Sequence, residues 1–265
     1  MTCLTFIIPI RHQDCSDNWD VLLKNLSQTV KSICAQTCDD WKCVIVANKG
    51  ADLPDFPDGF DVCLVDYPPN NMYAQEDQDI GSYRDAVRLD KGKRILSGIR
   101  HSEPTHYFMF VDDDDLIHRD LVKYVCDNAG EGGWYINKGL VWQDGSGLLM
   151  KYSQFYMLCG TSHIVSSRLL DFSGNEVNIE YVKRMLGSHI HLKGELDKTN
   201  TPLRPLPFRG AIYRIGHADA HSKIGGIYRT FFTKRRILKH PLETIVKLLS
   251  LRKLTKKTKA MYFGT

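Results

Sequence analysis

An apolar run that ends abruptly in four adjacent acids constrains this chain more than any other feature. Residues Tyr107–Val111 are apolar and rich in Phe and Val, and Asp112–Asp115 follow directly. Runs of this kind are typical of buried strands. Four neighbouring carboxylates repel one another, so a divalent cation, a helix N-terminus or open solvent must offset their charge. A hard cation that holds a diphosphate explains both the strand and the acids.

Strand and helix patterns alternate before these acids. Predicted strands cover Thr5–Ile10, Lys42–Ala47, Asp61–Val65 and Tyr107–Val111, and predicted helices cover Trp19–Gln36, capped by Asp17, and Ala86–Arg100. This alternation predicts an α/β fold in one domain, with a mostly parallel sheet flanked by helices. Ligands bind at the carboxyl ends of such strands, where Arg11, Asn48 and the acidic run are expected.

The pattern is less regular after the acids. A helix is predicted at Arg119–Asn128, with strands at Trp134–Asn137, Leu140–Trp142 and Ala211–Gly216. Helices at His163–Leu170 and Ile179–Leu186, a flexible loop at His217–Gly226 and an amphipathic helix at Pro241–Leu254 complete the prediction. No linker precedes Phe231, so residues 1–230 are expected to form the domain and residues 231–265 a basic amphipathic tail.

Composition and cysteine spacing argue against a membrane-spanning protein and against a zinc finger. The 43% hydrophobic and 25% charged content is ordinary for a soluble globular chain. No stretch approaches the ~20 apolar residues that span a bilayer, and Leu4–Ile10 suits a first strand better than a signal peptide. The eight cysteines contain no C-x-x-C pair. We therefore expect buried, reduced thiols in a cytoplasmic protein.

The net charge of +4 hides a basic tail. Residues 234–260 carry ten Lys or Arg and one acid, Glu243, a local charge of +9, so the remainder carries 4 − 9 = −5. Apolar and basic positions share this segment, which favours an anionic membrane surface over nucleic acid as its partner. The expected location is the cytoplasm, with peripheral attachment to the inner face of the membrane. The alternatives are a solvated terminus and a helix that packs on the domain.

The chain resembles GT-A glycosyltransferases, most closely the family 2-like enzymes, over about residues 2–230. Phe6–Pro9 resembles the opening strand and proline of that fold, and Trp41–Asn48 its second strand, with Asn48 where the family usually has an acid. Lys91–Arg94 with Gly98-Ile99 resembles the helix before the metal motif. Asp112–Asp115 resembles the family's D-x-D motif and its following acid.

The resemblance implies a cofactor and a set of site residues. Asp112 and Asp114 are two apart and face one side of an extended chain, so both reach one Mn²⁺ or Mg²⁺. His217 is the expected further ligand, with His221 as its rival. The expected donor is a sugar linked to UDP or GDP. The residues expected to contact this donor are Pro9, Arg11, Asn48, Lys91, Arg94, Asp112 and Asp113. The alternative is a solvated acidic loop in which Asp115 caps the next helix.

The catalytic base is less clear from the sequence. The best match to the family's Glu-Asp pair is Ile179-Glu180-Tyr181, so Glu180 is the predicted base, with Glu195 and Asp197 as rivals. A carboxylate in the first turn of a helix is also favourable without any catalytic role. A retaining enzyme needs no such base.

Together these patterns predict a metal-dependent, hexosyltransferase-like enzyme that moves a sugar from a nucleotide-sugar to a glycan or lipid-linked acceptor. One alternative is a nucleotidyltransferase, although Arg11–Asn18 lacks the glycines of a phosphate-binding loop. The other is a catalytically inactive, glycan-binding or scaffold relative.

Overall fold

Two sheets organise the chain in a computed structural model that describes residues 1–70, 80–130, 132–170, 178–216 and 226–265. In chain order, its strands are β1 (Thr2–Pro9), β2 (Trp41–Asn48), β3 (Phe60–Val65), β4 (Thr105–Phe110), β5 (Leu116–Ile117), β6 (Gly133–Tyr135), β7 (Lys138–Gln143), β8 (Leu148–Ser153), β9 (His163–Ser166), β10 (Arg204–Pro205), β11 (Ala211–Ile215) and β12 (Leu251–Lys253).

The helices lie between and after these strands. They are α1 (Trp19–Cys34), α2 (Ile80–His101), α3 (Leu121–Asp127), α4 (Ile179–Met185), α5 (His189–Leu196), α6 (Ile227–Phe231), α7 (Lys234–Lys239), α8 (Pro241–Ser250) and α9 (Lys256–Tyr262). None of the described helices is both long and apolar enough to cross a membrane.

The main sheet has the order β10-β6-β9-β4-β1-β2-β3. Strands β4, β1, β2 and β3 run parallel, whereas β9 lies antiparallel between β4 and β6. Successive side chains of a strand point to opposite faces. Thus Phe6 and Ile8 of β1 join the core under α1 and α3, while Ile7 joins the core under α2, α4 and α5. The predicted α/β fold, a central sheet flanked by helices, is confirmed.

Helix α2 lies unusually close to this sheet at one glycine. A Cβ on Gly98 would come within 2.7 Å of Ile7 Cγ2 and 2.8 Å of Val46 Cγ2, closer than carbon atoms approach. Only glycine therefore fits where the helix crosses β1 and β2. This crossing fixes the helix turns that precede it, including Lys91 and Arg94, over the carboxyl ends of the strands.

The second sheet, of order β12-β8-β7-β11-β5, was not expected from the sequence. Its strand β12 pairs antiparallel with β8, and α9 then brings Tyr262 and Phe263 into a core with Leu140 and Trp142. Both rings are about 5% exposed or less. The chain beyond residue 250 is therefore packed on the body, although the boundary at residue 230 stays a prediction.

Three local predictions are wrong. His163–Leu170 is not a helix, because Ile164 and Val165 pair as β9 between two other strands before a short 3₁₀ turn. Helix α1 is capped by Asn18 rather than Asp17, because the Asn18 Oδ1 atom accepts the Val21 N–H at 3.1 Å. The helix predicted to Leu254 ends at Ser250, where the chain turns into β12.

The cysteine prediction is also corrected. Cys3 and Cys126 form a disulfide with their Cα atoms 5.9 Å apart, which joins β1 to the end of α3. Cys34 is exposed, whereas Cys43, Cys63 and Cys159 are buried free thiols. Residues 123 positions apart in the chain gave no spacing signal for this pair.

Candidate functional site

Polar side chains meet at the carboxyl edge of the four parallel strands. Pro9 ends β1, Asn48 ends β2, and the acidic run follows β4. The Val111 N–H donates to the Ile7 carbonyl at 2.9 Å, and the Ile10 N–H donates to the Val46 carbonyl at 2.9 Å. These hydrogen bonds align the carboxyl ends of β4, β1 and β2 at one edge of the sheet. The edge is the predicted place for a ligand in such a sheet.

The four acids alternate in exposure along the turn. Asp112 and Asp114 are partly exposed, whereas Asp113 and Asp115 are buried. The Asp113 carbonyl accepts the Thr29 hydroxyl of α1 at 3.0 Å, and the Asp112 N–H donates to Thr161 Oγ1 at 2.8 Å. Two of the four carboxylates are thus presented to solvent. The chain turns at Asp113 and Asp114 rather than staying extended, so the turn and not a strand period sets which of the acids are exposed.

Lys91 of α2 forms an ion pair with Asp112 through Nζ and Oδ1. Burial disfavours its ammonium, but the attraction of nearby anions, Asp112 first, is stronger in sum and raises the pKa of Lys91. A Cβ on Gly160 would lie 2.5 Å from Asp112 Oδ2 and 2.7 Å from Lys91 Nζ. The absence of a side chain at Gly160 therefore leaves the pair the space that it occupies.

Asp115 is fully buried, and its carboxyl group accepts hydrogen bonds from two other parts of the chain. Its Oδ2 accepts the Cys159 thiol at 3.1 Å, and its Oδ1 accepts the Arg214 backbone N–H of β11 at 3.2 Å. Burial, then the charges of Asp114 and Asp112, raise its pKa well above the usual range. Asp115 does not cap α3, whose N-cap is Asp120. The carboxyl instead fastens the acidic turn to the second sheet.

A basic group lies beside Asn48 on the other side of the edge. Arg94 is buried, its Nε donates to Asp90 at 2.9 Å, and its guanidinium lies 5.7 Å from the Tyr67 ring centroid. The Asn48 amide donates to the Tyr67 carbonyl at 2.6 Å. Asn48 Oδ1 and Arg94 Nη1 are buried without a hydrogen-bond partner among the described residues. Such atoms are uncommon in folded proteins and suit a ligand.

Arg11 follows Pro9 and Ile10 at the same edge, and its side chain is buried. A 3₁₀ turn at Gln13–Cys15 comes next, and the Cys15 thiol donates to the Asn70 carbonyl at 3.7 Å. Burial is the largest cause that raises the Cys15 pKa, and Asp90 raises it further, whereas the hydrogen bond to Asn70 and the charge of Arg94 lower it. The joint role of Arg11 and Arg94 in ligand binding stays a prediction.

The predicted base lies on a different element. Glu180 is in the first turn of α4, with a side chain 61% exposed and an ion pair to Lys183 at 2.7 Å. Its rivals are also paired, Glu195 with Arg184 and Asp197 with Lys193. The ion pair of Glu180 is with Lys183 of its own helix. Its role stays a prediction.

The predicted histidine ligands cannot be placed. His217 and its rival His221 lie outside the described residues, as does nearly all of the predicted loop His217–Gly226. Strand β11 does end at Ile215, directly before that segment, and its Arg214 touches Asp115.

Sequence reasoning missed two histidines whose pKa values burial lowers. Burial first, then the charge of Lys91, lower the pKa of His189 to about 4, partly opposed by Asp112. His163 on β9 is fully buried, and burial lowers its pKa to about 3. His163 Nδ1 contacts Ser162 Oγ at 3.1 Å. No motif surrounds either residue, so only the three-dimensional arrangement reveals them.

The donor atoms of the acidic turn suit the predicted metal. Carboxylate oxygens suit Mn²⁺ and Mg²⁺, and Mg²⁺ usually takes one or two of them and completes its shell with phosphate oxygens and water. Asp112 and Asp114 fit that pattern. Among the described residues, one trio of ligand atoms lies within 4.8 Å, formed by Cys3, Asp40 and Cys126. Because both of these cysteines are in the disulfide, their sulfurs are not thiolate ligands.

The sequence matches no model of a known protein family and no curated protein. Among solved structures it is similar to S. aureus TarS 1–349, with 12% identity over 80% of this chain and a TM-score of 0.46. It is similar to S. aureus TarS, with 15% identity over 92% of this chain and a TM-score of 0.47. A third similar structure is Rv0371C in complex with manganese from Mycobacterium tuberculosis H37Rv, with 11% identity over 83% of this chain and a TM-score of 0.39.

This chain spans 60% and 41% of the lengths of the two TarS structures and 95% of the Rv0371C structure. These similarities are too remote to assign a family or an activity.

Proposed function

We propose that this protein is a metal-dependent glycosyltransferase that moves a sugar from a UDP- or GDP-linked donor to a hydroxyl of a glycan or lipid-linked acceptor. One observation carries the proposal. Asp112 and Asp114, both partly exposed, follow the fourth strand of a parallel sheet beside Lys91, at an edge that also carries Arg11 and Arg94. One edge of the sheet thereby combines carboxylates that can bind a cation with cationic side chains that can neutralise a diphosphate.

Asp112 and Asp114 would hold the Mn²⁺ or Mg²⁺, with His217 as the predicted further ligand. When bound, the cation supplies electrostatic stabilisation of the diphosphate that leaves the sugar. Lys91 would orient the Asp112 carboxylate through their ion pair. Because its pKa is raised, Lys91 also remains cationic and can neutralise diphosphate oxygens.

The nucleotide is proposed to lie on the side of Asn48 and Arg94. Asn48 Oδ1 is an acceptor and Arg94 Nη1 a donor, both without partners among the described residues and both adjacent to Tyr67. A nucleoside offers the complementary donors and acceptors on its base and ribose. Pro9, Arg11 and Asp113 are proposed to contact the ligand at the same edge of the sheet.

Glu180 remains the proposed base for the acceptor hydroxyl. Its carboxylate is exposed and paired with Lys183, so an acceptor must compete with that pair. His189 lies in the electrostatic field of Lys91 and Asp112. With a pKa of about 4 it is neutral at pH 7 and adds no positive charge beside Lys91, but it is a weak base.

A donor panel tests the proposal. UDP, GDP and their sugar conjugates are each added with and without Mn²⁺, and unfolding temperature and nucleoside diphosphate release are measured. A ligand at 100 times its dissociation constant stabilises a protein by about 2.7 kcal/mol. We expect Mn²⁺-dependent stabilisation by a nucleoside diphosphate and slow release of it from one donor.

Two results would contradict the proposal. Pyrophosphate release from a nucleoside triphosphate and a sugar phosphate would identify a nucleotidyltransferase instead. Binding of glycans without any nucleotide-dependent stabilisation or turnover would identify a binding or scaffold protein.

A further inference from the structure

Helix α8 presents its apolar face to solvent. Four aliphatic side chains at helical spacing, Leu242, Ile245, Val246 and Leu249, are 52–78% exposed. The opposite face carries Thr244, which is buried, and Lys247, whose ammonium lies 5.5 Å from the Phe231 ring centroid. An amphipathic helix on a globular protein normally turns its apolar face to the core. In this protein the helix is turned the other way.

The exposed apolar surface continues into the preceding helix. Leu238 of α7 is 83% exposed and Ile237 is 41% exposed. We call these six side chains, together with Leu248 at 49%, the α7–α8 apolar face. Contiguous apolar surface of this kind marks an interaction site rather than ordinary surface.

Basic side chains flank this face along the chain. Exposed Lys and Arg residues precede it in α7 and follow it in β12 and α9: Lys234, Arg235, Lys239, Arg252, Lys253, Lys256, Lys257 and Lys259. Glu243 is the one acid in residues 234–260. An aliphatic face with a basic border is complementary to a bilayer that has anionic headgroups above acyl chains.

We propose that the α7–α8 apolar face docks on an anionic lipid bilayer, with the helices lying in the plane of the interface. Because no described helix can cross a membrane, attachment would be at the surface. A second copy of the chain is a poor occupant, because pairing two such faces would bring together two segments of charge +9. The segment is also anchored, since β12 and the buried Tyr262 and Phe263 follow it.

This inference stands without the glycosyltransferase proposal. If that proposal also holds, docking would place the enzyme at the membrane where lipid-linked acceptors lie, which favours them over soluble glycans.

Point variants test the docking better than truncation does, because truncation would remove the buried Tyr262 and Phe263. The full chain is mixed with vesicles of phosphatidylcholine alone, or with added phosphatidylglycerol, and bound protein is separated by flotation. We expect binding to the anionic vesicles that falls as salt is raised, since the Debye length shortens to about 8 Å at physiological ionic strength.

The apolar contribution is tested with Leu242→Ser/Leu249→Ser. These side chains are 78% and 70% exposed, so the double variant should keep the wild-type melting temperature and lose at least tenfold in partitioning. The matched control is Leu64→Ser on β3, where the side chain is 55% exposed and outside the face. It should bind vesicles as the wild type does.

The basic border is tested with Lys256→Gln and Lys257→Gln, each expected to lower partitioning about fivefold at low salt. Lys24→Gln on α1 is the exposed control. Wild-type protein that ignores anionic vesicles, or a Leu242→Ser/Leu249→Ser variant that binds them fully, would overturn the inference. A concentration-dependent dimer that this double variant abolishes would also overturn it, by assigning the face to self-association.

Discussion

Replacement of the buried His163 should make the protein less sensitive to acid. His163 is 2% exposed, and burial lowers its pKa from 6.5 to about 3. The unfolded chain therefore binds a proton below pH 6.5 that the folded chain does not. Stability present above pH 6.5 is lost as the pH falls toward the folded pKa. The perturbation is His163→Phe, which keeps a ring and removes the titration.

The magnitude follows from proton linkage. Each pH unit below 6.5 costs the wild type about 1.4 kcal/mol through this group, so the loss at pH 5 is about 2 kcal/mol. The Phe variant loses the contact with Ser162 Oγ, a pH-independent offset of about 1 kcal/mol. This offset lowers the free energy of unfolding of the variant equally at every pH. It therefore does not hide the difference in pH dependence between the two proteins.

Urea unfolding at pH 7.5, 6 and 5 measures this difference. His106→Phe is the matched control, because His106 lies exposed on β4, the strand beside β9. Groups that do not interact with His163 titrate equally in the two proteins and cancel in the comparison, whereas the charge of His189 acts on His163 and is part of the measured difference. Parallel curves for wild type and His163→Phe would refute the reasoning, since they would show that His163 is protonated without cost in the folded protein.

The remaining predictions concern the candidate site. Glu180→Gln should lower the transfer rate by about 10²–10⁴-fold with little change in donor affinity, in initial-rate and binding assays, whereas near wild-type turnover would favour Glu195, Asp197 or a retaining mechanism. Gly160→Ala should disrupt the Lys91–Asp112 pair and weaken Mn²⁺-dependent donor binding, because its Cβ would lie 2.5 Å from Asp112 Oδ2. Gly147→Ala, whose Cβ would meet nothing within 4 Å, is the control for Gly160→Ala, and equal binding by the two variants would count against the site.

Regular periodicity made the first half of the chain predictable. The four parallel strands and α1 and α2 lie within a few residues of their predicted bounds, except that α2 begins at Ile80 rather than Ala86. Their apolar positions recur at spacings that local geometry imposes. Asp112 and Asp114 were predicted to face one side of an extended chain, whereas the chain turns at these acids.

Features that depend on distant pairing were not predictable. The run around Ile164 and Val165 is too short for its period to separate strand from helix, and its two neighbouring strands decide the outcome. The second sheet joins residues about a hundred positions apart, such as Leu149 and Arg252. Asp115 is buried and Asp114 is partly exposed, because the Cys159 thiol and the Arg214 backbone of β11 bind the Asp115 carboxyl.

Titration calorimetry of a nucleoside diphosphate with and without Mn²⁺ tests the central claim most directly. UDP and GDP are titrated into wild-type protein, Asp114→Ala and the control Asp127→Ala, an exposed acid on α3 that pairs with Lys123. Removal of one acid from a repulsive group should not destabilise the fold, so all three proteins should melt alike. The account predicts Mn²⁺-dependent binding of one nucleotide to the wild type and the control, and its loss in Asp114→Ala. Unchanged Mn²⁺-dependent binding in Asp114→Ala, or no Mn²⁺-dependent binding in the wild type, would contradict it.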